Sequence, residues 1–243
     1  MLVLSLDTTT RAGSAAVARD GEVLDALAGD PSSLHAERVP ADVLRLLERS
    51  GLGLPEVDVF AVAAGPGSFT GLRIGIAAMQ GFGFATGRPV IGVSTLEALA
   101  AAASGVRAGQ PMPRIGVWMD AQRGEIYSAL YRTGARAAPA GLELLDGPSV
   151  GDPAETAGRW RSLVEGEWFP VIGDGAVRYR DTLCEVAGRP VTVIEPPMLA
   201  PAIAVLAWRR ALAGERPLPH AIRPLYIRRP DAELARDRRK ARA

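Results

Sequence analysis

The sequence contains a glycine-rich stretch, residues 63–75, that reads Ala63-Ala64-Gly65-Pro66-Gly67-Ser68-Phe69-Thr70-Gly71-Leu72-Arg73-Ile74-Gly75. A β-branched run, Val57 to Val62, precedes it and a segment rich in Gly and Ala follows, which predicts strand, loop and helix. Gly65 and Gly67 permit positive φ or a close backbone approach, and Ser68 or Thr70 can cap the helix. A helix start of this kind favours an anion, so the loop is a candidate phosphate or nucleotide contact. A tight strand-to-helix turn is the alternative, because the spacing matches neither the Walker loop nor the dinucleotide fingerprint.

The predicted helix over residues 71 to 86 has small residues at regular spacing. Four glycines and one methionine recur every fourth position: Gly71, Gly75, Met79, Gly83 and Gly87. An interior glycine costs about 1 kcal/mol of helix stability relative to alanine, so we expect close packing to compensate. The neighbour is either a helix of the same chain or another subunit, and periodicity alone does not choose between them.

Composition places the chain among ordinary globular proteins. It has 243 residues, of which 48% are apolar and 23% charged, enough for one large domain or two small ones. The single cysteine, Cys184, excludes an internal disulfide framework and a cysteine-cluster metal site. No stretch approaches the roughly 18 apolar residues that span a bilayer, and the start lacks the basic flank of a signal peptide. We therefore expect a cytoplasmic protein that does not enter a membrane.

Positive charge is concentrated at the end of the chain. The formal net charge is only +1, which argues against a global basic field for nucleic acid. From Arg228 onward, however, seven basic and three acidic residues give a local net charge of +4. Such a tail either contacts phosphate backbones in a salt-sensitive way or is a solvated chain end.

Two strands are each expected to end at an aspartate. Leu2 to Leu6 runs into Asp7, which threonines follow, and Ile115 to Met119 runs into Asp120. In both cases a short loop and a second strand follow, which is the form expected of a duplicated fold. Asp7 and Thr8 could hold a metal-bound water or phosphate oxygens, or they could cap a turn.

The two histidines do not form a metal site in this interpretation. His35 lies at the start of an amphipathic helix predicted over Ala36 to Ser50, and the residue four positions later is Val39. Two histidines at that spacing could bind a metal, but here valine occupies the second position. His220 lies between prolines in a loop. We expect no metal and no catalytic residue from this set.

Five stretches match one known family in the right order, namely Leu4–Thr10, Gly65–Gly75, Gly92–Leu96, Asp120–Tyr127 and Pro224–Arg228. Together they resemble the TsaB (YeaZ) family, accessory subunits of bacterial tRNA threonylcarbamoyladenosine biosynthesis. The resemblance implies the α/β fold of the actin, Hsp70 and sugar-kinase (ASKHA) class, with two duplicated lobes, each a mixed β-sheet flanked by helices. We expect the lobes at residues 1–105 and 106–228, followed by a basic, flexible tail over 229–243.

The resemblance also implies a role without chemistry of its own. A TsaB-type subunit binds and activates its TsaD-type catalytic paralogue, which transfers threonylcarbamoyl to N6 of the adenosine next to the anticodon. A TsaE-type ATPase joins them, tRNA binds through the complex, and the accessory subunit forms a homodimer when alone. The chain needs no cofactor, while ATP or ADP fits the subunit junction. The catalytic paralogue holds its metal through His-x-x-x-His, which is reduced here to His35 and Val39.

Related subunits associate through the first two helices of the first lobe. The implied partner interface consists of Val39, Val43, Leu46, Gly71, Gly75, Ala78, Met79 and Phe82. The candidate nucleotide or anion contacts are Asp7, Thr8, Gly65, Gly67, Ser68 and Arg73.

Three other functions remain open from the residues. A stand-alone ATPase or small-molecule kinase would use Asp7 and Asp120 as its catalytic carboxylates. Gly173-Asp174-Gly175 would be its adenosine-binding loop, although this motif is weakly specific. A metalloprotease needs a ligand set that His35 alone does not provide. A direct tRNA-binding module would use the basic tail.

Overall fold

The chain folds into two mixed β-sheets with helices on their faces. The computed structural model describes residues 1–106, 113–134, 141–165 and 167–228. Three sequence predictions lie outside these ranges: most of the loop over 105–113 that would separate the lobes, the irregular stretch over 135–140, and the basic tail over 229–243.

The first sheet has five strands in the order β3-β2-β1-β4-β5. Its strands are β1 (Leu2–Asp7), β2 (Ser14–Arg19), β3 (Glu22–Ala28), β4 (Val59–Gly65) and β5 (Val90–Ser94). Its helices are α1 (His35–Arg49), α2 (Phe69–Thr86) and α3 (Thr95–Val106). β1, β2 and β3 form an antiparallel meander, whereas β4 and β5 add in parallel on the other side of β1.

The second sheet repeats this plan. Its strands are β6 (Arg114–Asp120), β7 (Ile126–Thr133), β8 (Leu142–Gly151), β9 (Val171–Ile172) and β10 (Val193–Ile194). Its helices are α4 (Pro153–Leu163), α5 (Asp174–Arg178) and α6 (Arg180–Ala187). Read from the other edge, the order β8-β7-β6-β9-β10 has the same antiparallel and parallel pairings as the first sheet. The predicted duplicated two-lobed fold is therefore confirmed.

Most predicted elements agree with the structure to within a few residues, and two differ. The sequence predicts a strand over Leu142 to Leu145, whereas β8 extends to Gly151, because it pairs with β7 along nearly its whole length. The single helix predicted over Val177 to Val186 is two helices, which meet at Tyr179 with φ −108° and ψ 30°. This non-helical residue redirects the chain after α5.

A last helix, α7 (Ala200–Leu212), packs against the first sheet although it follows the second in sequence. Its first turn is tied to that sheet, since the Ser5 hydroxyl donates to the carbonyl of Ala200 (2.7 Å). The Ser14 hydroxyl accepts the N–H of the same residue (3.1 Å). Ile203 lies in a core cluster that contains residues of both sheets, including Val3 and Val117. One hydrophobic core therefore joins the two lobes.

No helix in the described parts of the chain combines the length and the apolar character needed to cross a membrane.

The packing of α7 predicts unequal effects along one helix. Ile203→Ala will lower the free energy of unfolding by about 2–5 kcal/mol, because it leaves a cavity at a fully buried position. Leu212→Ala will change it by less than about 0.5 kcal/mol, since Leu212 is largely exposed. Urea denaturation followed by circular dichroism measures both, and equal losses would contradict this orientation of the helix.

Candidate functional site

A cleft of about 1190 Å³ lies between the lobes, at the edge where the first strand of each sheet ends. The first lobe lines it with residues 9–11, after β1, and residues 66–72, at the start of α2. The second lobe contributes residues 119–123, at the end of β6 and just beyond it, together with Asp174. Residues 225–228, which follow α7, complete the lining. The cleft therefore collects loops from equivalent positions of the two repeats.

The glycine loop packs on the β1–β2 loop of the same chain. A Cβ at Gly71 would overlap the carbonyl oxygen of Thr8, and one at Gly67 would lie 2.5 Å from Cβ of Thr9. The Thr8 hydroxyl donates to the carbonyl of Gly71 (2.8 Å), and the Ser68 N–H donates to the carbonyl of Thr9 (3.1 Å). The close neighbour at these glycines is therefore a loop of the same chain, neither the helix nor the second subunit expected from the sequence.

Ser68 caps α2, as one of the two predicted candidates. Its hydroxyl oxygen accepts the N–H of Gly71 at 3.2 Å. Gly65, with φ +111°, lies beside the carbonyl oxygen of Leu225, which a side chain at Gly65 would crowd. The N–H of Leu225 donates to the carbonyl of Ala64 (2.6 Å). A segment from the end of the described chain thus covers one side of the glycine loop.

Asp7 is held by its own loop. Its Oδ1 accepts the N–H of Thr9 (2.9 Å) and the hydroxyl of Thr9 (2.6 Å), and the residue is only 2% exposed. Burial raises the pKa of Asp7 above its ordinary value of 3.8, and the hydrogen bonds from Thr9 oppose that rise. The geometry is that of a turn-capping carboxylate, one of the two interpretations left open by the sequence.

The second lobe repeats this arrangement with a different partner. Asp120 accepts the N–H of Gln122 (2.9 Å) through Oδ1 and pairs with Arg178 (2.8 Å) through Oδ2. Asp174 accepts the N–H groups of Asp120 (3.0 Å) and Gly175 (2.9 Å). Burial is the main cause that raises the pKa of Asp174 above its ordinary range. All three acidic groups at this edge therefore have local partners.

Arg73 is separated from the other candidate anion contacts. Thr8, Gly67 and Ser68 meet where the glycine loop packs on the β1–β2 loop, and Thr9 of that loop holds Asp7. Gly65 lies beside Leu225. Arg73 is exposed, with its guanidinium carbon 3.8 Å from the ring centroid of Phe69. Its Nε donates to the hydroxyl of Tyr226 (3.0 Å), and the Phe69 and Tyr226 rings lie 5.3 Å apart. Local sequence patterns could not place Tyr226 here, because it lies 153 positions after Arg73.

His35 has a structural role at the start of α1. Its Nε2–H donates to the carbonyl of Thr10 (2.9 Å), so Nδ1 accepts from Nη2 of Arg38 (2.8 Å). Arg38 in turn pairs with Asp42 (2.6 Å). Within the described residues, no group of three or more His, Cys, Asp or Glu side chains could hold a metal ion.

The expected partner interface needs correction, because most of its residues face inward. Four of its side chains are at most 1% exposed and lie in the core under α1 and α2: Val39, Val43, Leu46 and Met79. Gly71 and Gly75 face Thr8. Ala78 and Phe82 are half-buried, and the Phe82 ring stacks on Phe60 at 6.0 Å. Six of the eight expected interface residues, namely these four side chains together with Gly71 and Gly75, are therefore buried within the chain itself.

The opposite side of α2 is exposed, and we call it the outer face of α2. It consists of Ala77, Gly81, Phe84 and Ala85. A Cβ at Gly81 would meet no atom within 4 Å, which contrasts with Gly71 on the inner face. The small residues of the helix therefore fall into two sets, one packed within the chain and one open to solvent.

Comparison with known proteins gives matches over the whole chain and over parts of it. A family model described as TsaD, tRNA N6-adenosine threonylcarbamoyltransferase, matches residues 30–149. An uncharacterized protein of Mycobacterium leprae is 35% identical over 239 residues, which is 96% of this chain and 56% of that protein. The tRNA threonylcarbamoyladenosine biosynthesis protein TsaB of Escherichia coli is 38% identical over 132 residues, 54% of this chain and 55% of that protein. The chain thus spans about half the length of both curated relatives.

Solved structures extend the likeness to the full fold. The activator of 2-hydroxyisocaproyl-CoA dehydratase from Clostridium difficile shares the fold alone, with a TM-score of 0.50 at 11% identity over 88% of this chain and 96% of that chain. This likeness shows a shared two-lobed fold and nothing further. YeaZ from Pseudomonas aeruginosa matches with a TM-score of 0.75 and 30% identity, over 93% of this chain and 99% of that chain. The chain belongs to the TsaB (YeaZ) family.

Two glycines of α2 give a matched test of the inner and outer faces. Gly71→Ala will lower the free energy of unfolding by about 1–3 kcal/mol, because the new methyl group overlaps the backbone of Thr8. Gly81→Ala will raise it by up to about 1 kcal/mol, because the site is open and alanine favours the helix. Chemical denaturation of the two variants measures the difference, and a change of the same sign in both would contradict the assigned faces.

The buried carboxyl of Asp7 predicts a pH dependence of stability. Its pKa is higher in the folded chain than its ordinary value of 3.8, so the folded state binds this proton more tightly than the unfolded state. Wild-type stability therefore loses this contribution as pH rises from about 4 through the raised pKa. Asp7→Asn keeps an acceptor for Thr9 and carries no charge. Its free energy of unfolding relative to wild type will increase with pH over that window.

Asp30 is the control for that measurement. Hydrogen bonds from Ser32 lower the pKa of Asp30, so its titration lies below the ordinary value of 3.8. Asp30→Asn will therefore show no trend relative to wild type above about pH 5, where Asp30 is ionised in both the folded and the unfolded chain. A flat difference for Asp7→Asn over the same range would refute the buried, proton-retaining carboxyl.

Proposed function

We propose that this chain is the non-catalytic accessory subunit that binds and activates a TsaD-type transferase in forming threonylcarbamoyladenosine next to the anticodon of tRNAs. Similarity to the Escherichia coli TsaB protein supports the pathway, and the match to the TsaD family model supports a paralogous partner. The observation that carries the proposal is the outer face of α2.

This face has the composition of an interface core. Ala77, Gly81 and Ala85 are small and exposed, and Phe84 is 61% exposed beside them, with its ring stacked on His220 at 6.4 Å. The only charged residue of the whole helix is Arg73, near its start. Solvent-facing helix surfaces normally carry charges, whereas interface cores are depleted in charge and enriched in aromatic rings. The small residues let a second helix approach closely, and Phe84 supplies an apolar anchor.

A paralogue of the same fold is the partner that fits this face. The region matched by the TsaD family model, residues 30–149, includes both α1 and α2, so the partner presents an equivalent pair of helices. Two like surfaces can then meet around an approximate twofold axis, and two copies of this chain can meet in the same way. We propose this face for the homodimer and for the complex with the transferase. In this proposal the complex of the two paralogues binds a TsaE-type ATPase and the tRNA. ATP or ADP binds at the junction between the subunits.

Local contacts of the acidic groups support a role without chemistry. A stand-alone ATPase or kinase would need a carboxylate free to act as a base. Asp7 is bound by Thr9 inside its loop, and Asp120 pairs with Arg178. Both carboxylates that this alternative would use are therefore already held by partners within the chain.

The test is threonylcarbamoyl transfer to tRNA in a reconstituted mixture of the transferase, the ATPase and the enzyme that makes the threonylcarbamoyl adenylate, with and without this chain. We expect modification to depend on this chain, while the chain alone neither modifies tRNA nor hydrolyses ATP. Modification that proceeds equally well without it would reject the accessory role. ATP hydrolysis by the isolated chain would favour the kinase or ATPase alternative.

Two glycine substitutions test the docking face. Gly81→Leu places bulk on the outer face of α2, at a position where a Cβ meets nothing in the isolated chain. It will weaken transferase binding at least about tenfold, because it prevents close approach of the helices. Gly158→Leu is the matched control, since Gly158 lies in α4 of the other lobe and also has open space. If Gly81→Leu binds as wild type does, the docking face lies elsewhere, whatever the outcome of the transfer assay.

A further inference from the structure

After α7 the chain crosses from the first lobe to the second at the cleft, and the docking proposal does not use this crossing. The crossing consists of residues 222–228, which we call the interlobe strap. Residues 225–228 of the strap line the cleft. Two of the five family stretches, Pro224–Arg228 and Asp120–Tyr127, meet where the strap reaches the second lobe. The strap therefore gives these two stretches a common place in the fold.

The first lobe holds the strap by several kinds of contact. Ile222 is 8% exposed and lies in the core cluster under α1 and α2. The N–H of Leu225 donates to the carbonyl of Ala64 (2.6 Å). The hydroxyl of Tyr226 accepts from Nε of Arg73 (3.0 Å). Core packing, a backbone hydrogen bond and a side-chain hydrogen bond thus fix this end of the strap together.

The side chain of Arg228 connects the strap to the second lobe. Its Nη1 donates to the carbonyl of Ala121 (2.7 Å), and its Nη2 pairs with the carboxylate of Glu125. Ala121 and Glu125 are the two ends of the β6–β7 loop, and the N–H of Ala121 donates to the carbonyl of Glu125 (3.0 Å). The Arg228 side chain is 21% exposed and that of Glu125 is 42% exposed. This connection therefore depends on a charged contact that dissolved salt can screen.

The two lobes are thus joined in two physically different ways. One join is the apolar core that contains Ile203 together with residues of both sheets. The other is the strap, which is fixed to the first lobe and reaches the second through Arg228. A motion that carries residues 121–123 away from the first lobe can leave the core packed as a hinge. It must, however, part Arg228 from the β6–β7 loop, because the strap stays with the first lobe.

We propose that Arg228 is a salt-sensitive latch on the cleft. Its contact with the β6–β7 loop holds the lobes in the closed arrangement of this structure, and its release widens the cleft while the strap remains on the first lobe. Hinge motion about a few residues is a common way in which two-lobed proteins open and close. The latch decides how far residues 119–123 lie from residues 66–72, which line the opposite wall, and hence what the cleft can admit. This proposal concerns the chain alone and does not depend on transferase docking.

The test is the distance between spin labels on the two lobes, measured by double electron–electron resonance on the isolated full-length chain. The labels are attached at Thr70→Cys in α2 and Val177→Cys in α5, two exposed positions in helices that border the cleft. Cys184→Ser removes the natural thiol. A large excess of unlabelled chain ensures that the measured distances lie within one chain even if two copies associate.

We expect one main distance for the wild-type chain at low salt, and a longer distance whose fraction grows as salt is added. At low salt, Arg228→Glu will raise that fraction at least about fivefold, because it replaces attraction to Glu125 by repulsion. Adding Glu125→Arg to this variant will restore most of the shorter distance. Arg132→Glu is the matched control, since Arg132 pairs with Glu143 inside the second lobe (2.7 Å), and it will leave the distances unchanged. Circular dichroism of every variant verifies the fold.

Amide hydrogen exchange, followed by NMR, shows which end of the strap is released. In Arg228→Glu the Leu225 N–H will exchange within about threefold of its wild-type rate, because its bond to Ala64 belongs to the first-lobe end. Loss of that protection would overturn the assignment of the latch to Arg228, since the whole strap would then leave the first lobe. Identical distance distributions for wild type and Arg228→Glu would overturn the latch itself. The wild-type salt series needs no substitution at the latch, so a distance that salt does not change would also overturn it.

Discussion

The close contact between the start of α2 and the loop after β1 is the constraint on which the rest of the first lobe depends. The carbonyl of Thr8 occupies the space that a side chain at Gly71 would need, and the Thr8 hydroxyl bonds to the carbonyl of Gly71 (2.8 Å). This approach joins the end of the central strand β1 to the loop after its parallel neighbour β4. It also buries Asp7 beneath the cleft, where desolvation raises the carboxyl pKa. The glycine loop has a pattern that indicates anion binding, but its glycines are explained by packing within the chain.

The same helix has two faces with different uses of small residues. On the inner face, the absence of a side chain at Gly71 and Gly75 lets the Thr8 loop reach the helix backbone. On the outer face, Gly81 contacts nothing in its own chain, and uncharged residues around it are open to solvent. Small residues that pack nothing and carry no charge contribute little to the stability of the isolated chain. Their placement is explained by the proposed approach of another helix, and a helix whose glycines all faced inward would offer no such surface.

Elements from the end of the chain connect the two repeats. α7 packs on the first sheet and contributes Ile203 to a core that also contains residues of the second sheet. The segment after it bonds to both lobes, through Leu225 to Ala64 (2.6 Å) and through Arg228 to Ala121 (2.7 Å). The two repeats are thus joined because the last part of the described chain packs against the first lobe and bonds to both. This return also brings Tyr226 to Phe69, with the two ring centroids 5.3 Å apart.

The sequence by itself determined most of the strands and helices, the duplicated plan, the capping of α2 by Ser68 and the family resemblance. These depend on hydrophobic periodicity, turn residues and short motifs, which act over a few neighbouring positions. Only the tertiary structure decided that Val39, Val43, Leu46 and Met79 face the core, that Asp7 is enclosed by Thr9, and that Tyr226 meets Arg73. For Met79 the reason is that α2 is apolar nearly all round, so it has no periodic signal to say which side is buried. Val39, Val43 and Leu46 form the apolar side of the amphipathic helix α1, and only the packing decides whether that side meets its own core or another subunit. Contacts between residues far apart in sequence follow from how whole elements pack, and no local pattern encodes that packing.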